Sequence, residues 1–382
     1  MKVALLLLAV LNALTVGLGF YLSNYPKFHS GCQWADPSAE IKLAAFGDPQ
    51  ITGTSEKSSY RKKLDVYGND YYLGHVYSTI VNHLKPTHVS VMGDLVSSQW
   101  IEDLEFYIRA RRYRQRIFKT RNDLQFFNIS GNHDIGYGGE MTMERVHRYE
   151  LIYGHLNFEV VYYYEEGKLP CRVVGINSLA LDGPNIDAHY GREVREFLQK
   201  LWEHQFRGAT ILLTHIPLHK PAGVCQDGPS VTYYDSGHIK GQNHLSQEST
   251  DLVLKTFFQQ GNKYGGVILT GHDHEGCDSI YQNNDGAWNA HVGEEGWQNY
   301  TSTVSAQTTV SEHTVRSMMG EYGGNTGLLT GKFNPATQRW DFNYHLCPFV
   351  VQHLWWVSKV ATYITLGLDS LAVIWVGLTS KS

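Results

Sequence analysis

The chain has 382 residues, which is enough for one large domain or two of average size. Hydrophobic residues make up 42% of the sequence and charged residues 18%, the balance of a globular protein with a large core. A formal charge of −5 gives no reason to expect a nucleic acid partner.

The N-terminal stretch Val3–Leu22 is almost entirely apolar and follows Lys2. A helix of this length rises roughly 30 Å, which matches the hydrocarbon core of a bilayer. Aromatic residues such as Tyr25 and Phe28 come next, which suits a membrane interface better than the small-residue cleavage site of a signal peptide. We therefore predict an uncleaved anchor over residues 1–25. A cleaved signal peptide is the main alternative, and a buried core helix is the third.

Short apolar runs alternate with helical or loop stretches in the body of the chain, which predicts an α/β architecture. The predicted strands of its first part are Ile41–Phe46, His88–Met92, Leu124–Ile129, Cys171–Ile176, Ala209–Leu213 and Gly266–Leu269. The predicted helices are Tyr71–Leu84, Ile101–Phe118 and Arg192–Trp202. Extended or antiparallel strands are predicted at Tyr162–Tyr164, Trp288–Gly293, Tyr300–Val310, Leu328–Phe333 and Arg339–His345.

A second apolar stretch, Val360–Leu378, lies near the C-terminus and is closed by Lys381. Asp369 interrupts it, and an acid inside a membrane span is costly and usually faces protein or water. We predict a transmembrane helix over residues 354–379, with an amphipathic helix of a soluble protein as the alternative.

The two terminal lysines predict the orientation of the chain. Lys2 and Lys381 lie just outside the two apolar stretches, so the positive-inside rule places both ends in the cytosol. The body, residues 40–347, would then form one domain in a lumen.

The cysteines are compatible with an oxidising lumen, although their spacing does not reveal the pairing. They are Cys32, Cys171, Cys225, Cys277 and Cys347. Two N-glycosylation sequons occur in the body. The sequon at Asn299 could carry a glycan, whereas the one at Asn128 lies in a predicted strand and is expected to be buried.

Nearly every predicted strand of the body ends in a residue that can bind a metal ion. The endings are Gly47-Asp48-Pro49-Gln50, Gly93-Asp94, Gly131-Asn132-His133-Asp134, Thr214-His215 and Thr270-Gly271-His272-Asp273-His274. A single Gly-Asp pair after a strand is usually a structural turn, but five such endings in this order are hard to explain in that way. Because α/β proteins build sites at the carboxyl ends of their strands, we expect these residues to lie together.

This mixture of ligand types predicts which metal ions would bind and which reaction they would support. Carboxylates combined with imidazoles and one amide suit Mn, Fe or Zn better than Ca. One aspartate can bridge two ions at ~3.5–4 Å, and such a pair binds a phosphate and activates a water. No serine or cysteine nucleophile is then needed, and a nearby histidine would protonate the leaving alkoxide.

The five blocks, in this order, resemble the calcineurin-like metallophosphoesterase superfamily over residues 41–278. The resemblance implies a β-sandwich of two sheets flanked by helices, here with N- and C-terminal transmembrane helices. The implied ligands are Asp48, Asp94 and His274 for the first metal, and Asp94, Asn132, His215 and His272 for the second, with Asp94 as the bridge. It also implies that His133 is the general acid and that Asp134 orients it.

Position 50 departs from the pattern of the family, which usually has Asp-x-His where this chain has Asp48-Pro49-Gln50. An amide oxygen is a weaker ligand than an imidazole and prefers harder ions. This change favours Mn²⁺ among divalent ions, with Zn²⁺ or Fe as alternatives, or else it leaves Gln50 outside the ligand set.

A narrower resemblance involves Asp48–Ile51, Gly131–Gly136 and Gly271–His274, placed between two membrane stretches. These segments resemble the endoplasmic-reticulum enzymes that remodel GPI anchors, and the fungal members are also similar in Gly68–Gly74 and around Cys225. The resemblance implies a luminal phosphodiesterase in the endoplasmic reticulum membrane. It would remove ethanolamine phosphate from a mannose, the second rather than the first, so its partners are GPI-anchored proteins and membrane lipid.

Two alternatives remain open from the sequence. The same chemistry could act on another membrane-associated phosphodiester, or the domain could be a catalytically silent cargo receptor that only binds the GPI glycan. The loss of ligands that a silent receptor would show is limited to position 50.

Two further groups of residues have open interpretations. The basic run from Arg109 to Arg121 could contact anionic lipid headgroups or form a solvated helix face with acidic neighbours. His238, His244 and His313 could line a substrate cleft or lie at the surface.

Overall fold

A computed structural model describes residues 2–55, 57–119, 123–258, 262–284, 286–293 and 309–379. Its α-helices are α1 (Lys2–Ser23), α2 (Tyr60–Leu84), α3 (Asp103–Arg112), α4 (Asn132–Ile135), α5 (Met143–Tyr153), α6 (Ala188–His204), α7 (Gln247–Phe258) and α8 (Gln352–Thr379). Its strands are β1 (Ile41–Phe46), β2 (His88–Val91), β3 (Gln125–Asn128), β4 (Phe158–Tyr162), β5 (Cys171–Gly175), β6 (Ala209–Leu213), β7 (Val231–Tyr233), β8 (Ile239–Gln242), β9 (Gly266–Thr270), β10 (Cys277–Asn284), β11 (Ala287–Val292), β12 (Thr309–Thr314), β13 (Thr326–Asn334) and β14 (Arg339–Cys347).

Two mixed sheets form the body. One has five strands in the order β14-β13-β1-β2-β3, and the other has seven in the order β11-β10-β12-β9-β6-β5-β4. The strands β1, β2 and β3 run parallel, as do β5, β6, β9 and β12. A separate hairpin pairs β7 with β8.

The central strands β2, β5, β6 and β9 are buried on both faces, and β1 nearly so, which explains their nearly continuous apolar sequences. In β1, Ile41 and Leu43 belong to the layer between the two sheets, whereas Ala44 and Phe46 pack on the helical side. Residues of β6 and β9 complete the layer between the sheets. The architecture is therefore a β-sandwich flanked by helices, as the sequence predicted.

Most predicted elements are present, but not all with the predicted bounds. The helix predicted at Tyr71–Leu84 begins already at Tyr60, and the extended segment predicted at Tyr162–Tyr164 overlaps β4 only at Tyr162. The segment predicted as one helix, Ile101–Phe118, is α3 followed by a π-helical turn, Tyr113–Ile117. Of the strand predicted at Tyr300–Val310, residues 300–308 lie outside the described residues, and so does the sequon at Asn299. Asn128, which was expected to be buried, is half-buried; its amide accepts from the Tyr113 hydroxyl and donates to the Tyr153 carbonyl.

The two terminal helices pack against each other. The amide of Asn12 in α1 donates a hydrogen bond to Asp369 in α8, so the acid inside the apolar stretch faces protein. Among the described residues, the segment Gln352–Trp375 is long and apolar enough to cross a membrane, and Ala9–Ser23 is a shorter apolar segment. These terminal helices suggest a membrane association.

Two disulfides join distant parts of the body. Cys32 pairs with Cys347, which ties the segment after α1 to the end of β14, and Cys225 pairs with Cys277. Cys171 is a buried free thiol in the sheet layer, and burial raises its pKa.

This pairing predicts the reactivity of the cysteines. We expect the native protein to take up no maleimide, the denatured protein one equivalent at Cys171, and the denatured and reduced protein all five. Intact-mass spectrometry of the full-length protein checks this. A native adduct on Cys171, or more than one adduct after denaturation without reductant, would contradict the pairing.

Candidate metal centre

The carboxyl ends of five strands bring the predicted metal ligands to one edge of the sandwich. Asp48 follows β1 and Asp94 follows β2, while His215 and His274 follow β6 and β9. Asp48, Asp94 and His274 each offer a ligand atom, and these atoms lie within 4.8 Å of one another. The first predicted ligand set is thus close enough to hold one ion.

Members of the second predicted set also lie near one another. The Oδ1 atom of Asn132 lies 3.1 Å from Nε2 of His215, which is 3.4 Å from Oδ1 of Asp94. The ring of His272 lies 5.0 Å from that of His215, measured between centroids. Asp94 lies between the two sets, which is the position that a bridging ligand requires.

Each imidazole is oriented by a hydrogen bond on the side away from the cluster. Nδ1 of His215 donates to the carbonyl of Met92 at 2.8 Å, and Nε2 of His272 donates to the carbonyl of Gln242 at 2.9 Å. Nδ1 of His274 lies 3.3 Å from the Tyr322 hydroxyl. The opposite nitrogen of each ring faces the cluster, where it could bind a metal ion; that of His274 lies beside the amide nitrogen of Gln50 in this structure.

Local backbone strain marks the same edge. Asp48, Gln50, Asp94 and His272 all have positive φ angles, between 40° and 75°. The described chain has seven such non-glycine residues, so more than half of them lie at this cluster. Strain of this kind costs of order 1–3 kcal/mol per residue and tends to persist at functional sites.

Two glycines permit the close approach of these loops. A Cβ on Gly93, whose φ is +102°, would lie 2.1 Å from Nδ1 of His215. A Cβ on Gly131 would lie 2.2 Å from both the backbone nitrogen and Oδ1 of Asp94. A side chain at either position would therefore displace a predicted ligand.

Gly131→Ala should therefore weaken metal binding, although it replaces none of the predicted ligand residues. Overpacking against a backbone atom costs typically about 1–3 kcal/mol, so we expect metal affinity to fall roughly 10- to 100-fold. Isothermal titration with Mn²⁺ measures this. Gly228→Ala is the matched control, because its nearest atom would lie at 3.8 Å. Equal affinities in the two variants would contradict the packing described here.

Burial and charge in the cluster fit a pair of cations. Burial and the neighbouring Asp94 charge hold the pKa of Asp48 well above its usual value. Burial opposes ionisation of Asp94 too, but nearby imidazoles bring its pKa below the usual value. Within the described chain, neither aspartate has a lysine or arginine partner. Bound divalent ions would supply the missing positive charge.

The histidines of the cluster are in the form that binds metals. Burial lowers the pKa of His215, and it lowers that of His272 to about 3. Burial likewise lowers the pKa of His274. Neutral imidazoles with a free nitrogen are ligands for Mn, Fe or Zn, so the residues present fit the group.

Gln50 contacts two members of the first ligand set. Its amide nitrogen donates to Oδ2 of Asp94 at 3.1 Å and lies 3.1 Å from Nε2 of His274. In this structure Gln50 is therefore a hydrogen-bond donor to a predicted ligand, which agrees with the alternative that it lies outside the ligand set.

His133 lies at the open side of the cluster. Its side chain is 36% exposed, and its Nε2 atom is 3.9 Å from Oδ2 of Asp94. Its backbone nitrogen donates to Oδ1 of Asp94 at 2.8 Å, so the loop is fixed while the ring stays accessible. That is the placement a general acid needs.

The prediction that Asp134 orients His133 is wrong. The carboxylate of Asp134 accepts hydrogen bonds from the backbone nitrogens of Leu95, Val96 and Gly131. It therefore joins the loop after β2 to the loop after β3. The side chain that contacts the ring of His133 is Gln99, whose Nε2 lies 3.1 Å from Nδ1.

Sequence reasoning missed the residues that support the ligands. Gln99, Gln242 and Tyr322 are far from their partners in sequence and follow no metal-binding pattern. Gln242 contributes only its backbone carbonyl, so its side-chain type held no signal. Tyr322 ends the short 3-10 helix Gly320–Tyr322, which contains no metal-binding pattern.

The three other histidines have separate environments. His238 is half-buried and contacts the Ser236 hydroxyl, whereas His313 stacks on Tyr344 with centroids 4.3 Å apart. His244 is buried, which together with Lys220 lowers its pKa to about 4. The surface interpretation holds for His238.

Comparison with known proteins defines the class. A family model of calcineurin-like phosphoesterases matches residues 41–276, which include all of the predicted metal ligands. The chain belongs to this family, and together with the clustered ligands this identifies a metal-dependent phosphoesterase.

Individual proteins are also similar to this chain. The chain is 36% identical to Protein TED1 of Saccharomyces cerevisiae over 412 residues, covering 89% of this chain and 84% of that protein. It is 25% identical to Metallophosphoesterase 1 of Danio rerio over 244 residues, covering 57% of this chain and 60% of that protein. A solved dimetal phosphatase from Danio rerio is 11% identical with a TM-score of 0.40, over 82% of this chain and 100% of that chain.

Proposed function

We propose that this protein is a membrane-anchored phosphodiesterase that removes ethanolamine phosphate from the second mannose of GPI anchors on newly made proteins. The domain would lie in the lumen of the endoplasmic reticulum and use two divalent ions, with Mn²⁺ preferred. The ligands would be Asp48, Asp94 and His274 for one ion, and Asp94, Asn132, His215 and His272 for the other.

The observation that most supports a membrane-linked substrate is the short path from α8 to the cluster. A Cβ on Gly320 would lie 2.2 Å from the side chain of Gln352, the first residue of α8. Tyr322, two residues further, places its hydroxyl 3.3 Å from His274. A substrate attached to the membrane would therefore meet the cluster close to its own attachment point.

Asp94, Gln50 and His133 have different roles in the proposed reaction. When bound, a pair of divalent ions stabilises the charge on a phosphodiester and makes water a nucleophile at neutral pH. Asp94 holds the two halves of the cluster together, and Gln50 fixes one of its oxygens. His133, exposed beside Asp94, donates its proton to the mannose oxygen as that oxygen leaves.

The luminal location is supported by the disulfides, because such bonds persist in oxidising compartments. The GPI substrate is supported by the resemblance of the metal-binding segments to GPI-remodelling enzymes.

Mass spectrometry of GPI glycans from cells lacking the protein tests the proposal. We expect one extra ethanolamine phosphate on the second mannose, removed again by the wild-type protein but not by Asp94→Asn. Asp251→Asn, at an exposed acid on α7, is the matched control and should restore the normal glycan. An unchanged glycan would exclude this substrate, and rescue by Asp94→Asn would favour the silent receptor.

A further inference from the structure

A groove lies between α2 and the π-helical turn Tyr113–Ile117, apart from the metal ligands. We call it the basic groove; its volume is about 670 Å³, and the residues of interest in its lining are Tyr67, Tyr71, His75, Arg116 and Lys119. A Cβ on Gly74 would lie 2.5 Å from the carbonyl of Arg116, so the two helical segments touch at this glycine.

The basic groove lies beside both terminal helices. Nε2 of His75 donates to the carbonyl of Ser23, the last residue of α1, at 2.7 Å. The ring of Tyr71 lies 6.0 Å from Trp355 and 5.9 Å from Trp356, in the first turns of α8. Because aromatic residues concentrate at membrane interfaces, these contacts place the groove at headgroup level if α8 crosses a membrane.

The groove has an excess of positive charge. Arg112 binds both oxygens of Asp70, at 2.6 and 2.7 Å, and thereby compensates the acid in the lining. Arg116 is 54% exposed and donates a longer hydrogen bond of 3.4 Å to the same Asp70, so one carboxylate faces two arginines and one positive charge is in excess. Lys119 is exposed and has no carboxylate partner in the part of the chain that the structure describes.

Lys359 and Lys27 are two more cations that border the groove near the membrane helices. Nζ of Lys359 lies 5.2 Å from the centre of the Tyr71 ring. The pKa of His75 is lowered by burial, and the charges of Lys359 and Lys27 lower it further. Positive charge at the level of lipid headgroups attracts anionic lipids.

We propose that the basic groove binds the headgroup phosphate of an anionic membrane phospholipid, with Arg116 and Lys119 as its cationic partners and Tyr67 and Tyr71 beside the glycerol. This site is separate from the metal cluster and does not depend on the substrate proposed above. It would hold the body of the protein against the bilayer in one orientation. Two other arginines of the basic run have acidic partners, Glu105 for Arg109 and Asp70 for Arg112.

The test uses full-length protein in detergent, titrated with dihexanoyl phosphatidylserine, phosphatidylinositol or phosphatidylcholine, or with inorganic phosphate. Tryptophan fluorescence reports binding, because Trp355 and Trp356 lie against Tyr71. We expect the two anionic lipids to bind alike and more tightly than phosphatidylcholine or phosphate. The double variant Arg116→Gln with Lys119→Gln should lose roughly thirtyfold in affinity for the anionic lipids.

Three variants make the result specific. Arg114→Gln is the matched control. It should bind normally, because Arg114 belongs to the same basic run but does not line the groove. Lys119→Glu alone tests the same site without touching the Asp70 pair. Asp94→Asn should keep full lipid affinity, which separates this proposal from the catalytic one.

Several results would overturn the proposal. Equal binding of phosphatidylcholine would exclude charge recognition, and equal binding of inorganic phosphate would indicate a free anion site. Binding of phosphatidylinositol alone would indicate a specific inositol-lipid site. Unchanged affinity in folded Lys119→Glu and in the double variant would place the lipid elsewhere.

Discussion

Asp94→Asn is expected to abolish phosphodiester hydrolysis while leaving the fold intact. Asparagine has the same shape and still accepts the hydrogen bond from the backbone of His133. It removes the charge that two cations would share, and loss of that stabilisation, worth several kcal/mol, corresponds to a rate decrease of roughly 10³–10⁴-fold. Initial rates on bis(p-nitrophenyl) phosphate and elemental analysis of bound metal measure the effect.

The control for this substitution is again Asp251→Asn, which should keep both activity and metal content. Removal of metal from the wild-type protein with a chelator should reproduce the loss, and Mn²⁺ should restore activity. An Asp94→Asn protein with more than about a tenth of wild-type activity would exclude Asp94 as the bridge.

His133→Gln is expected to affect substrates according to their leaving groups. An alkoxide such as a mannose oxygen needs a proton as it leaves, so we expect a decrease of roughly 10²–10⁴-fold with a mannosyl phosphodiester. A p-nitrophenolate leaves without protonation, and the decrease with its diester should be below about tenfold. Rates on the two substrates, measured with one preparation, give this ratio.

His155→Gln is the matched control, because the side chain of His155 is 85% exposed and contacts only Glu150 among the described residues. Equal losses on both substrates in His133→Gln would show that His133 binds the phosphate instead of protonating the leaving group.

The sequence was sufficient for the arrangement of the ligands because one geometric rule governs them. Asp48 and Asp94 follow parallel strands of the five-stranded sheet, and His215 and His272 follow parallel strands of the seven-stranded sheet. The carboxyl ends of parallel strands share one edge of their sheet, and the sandwich brings the two edges together. Buried strands also have distinctive apolar sequences, so β1 and β6 were predicted with the bounds that the structure has.

The supporting contacts could not be predicted, because they join residues that are distant in sequence. The Tyr322 hydroxyl reaches His274 across 48 positions, and Gln99 reaches His133 across 34. The role of Asp134 was mispredicted for the same reason. Asp134 is next to His133 in sequence, but its carboxylate accepts hydrogen bonds from backbone groups of two loops. Packing decides such partners, and no short-range pattern records it.

In the basic run, tertiary contacts give arginines that look alike in sequence different partners and different exposure. From the sequence, Arg112 and Arg116 are equivalent members of a charged helix face. In the structure Arg112 binds both oxygens of Asp70, while Arg116 remains mostly exposed in the basic groove. The interpretation as a helix face with acidic neighbours is therefore met by Arg112, whereas lipid contact stays a prediction for Arg116.

The central claim is that side chains from five separate strand ends hold two metal ions at once. The most direct measurement is anomalous diffraction at the manganese edge from crystals of the full-length protein grown with Mn²⁺. We expect two peaks about 3.5–4 Å apart, one on either side of the Asp94 carboxylate. A single peak, or two peaks without Asp94 between them, would contradict it.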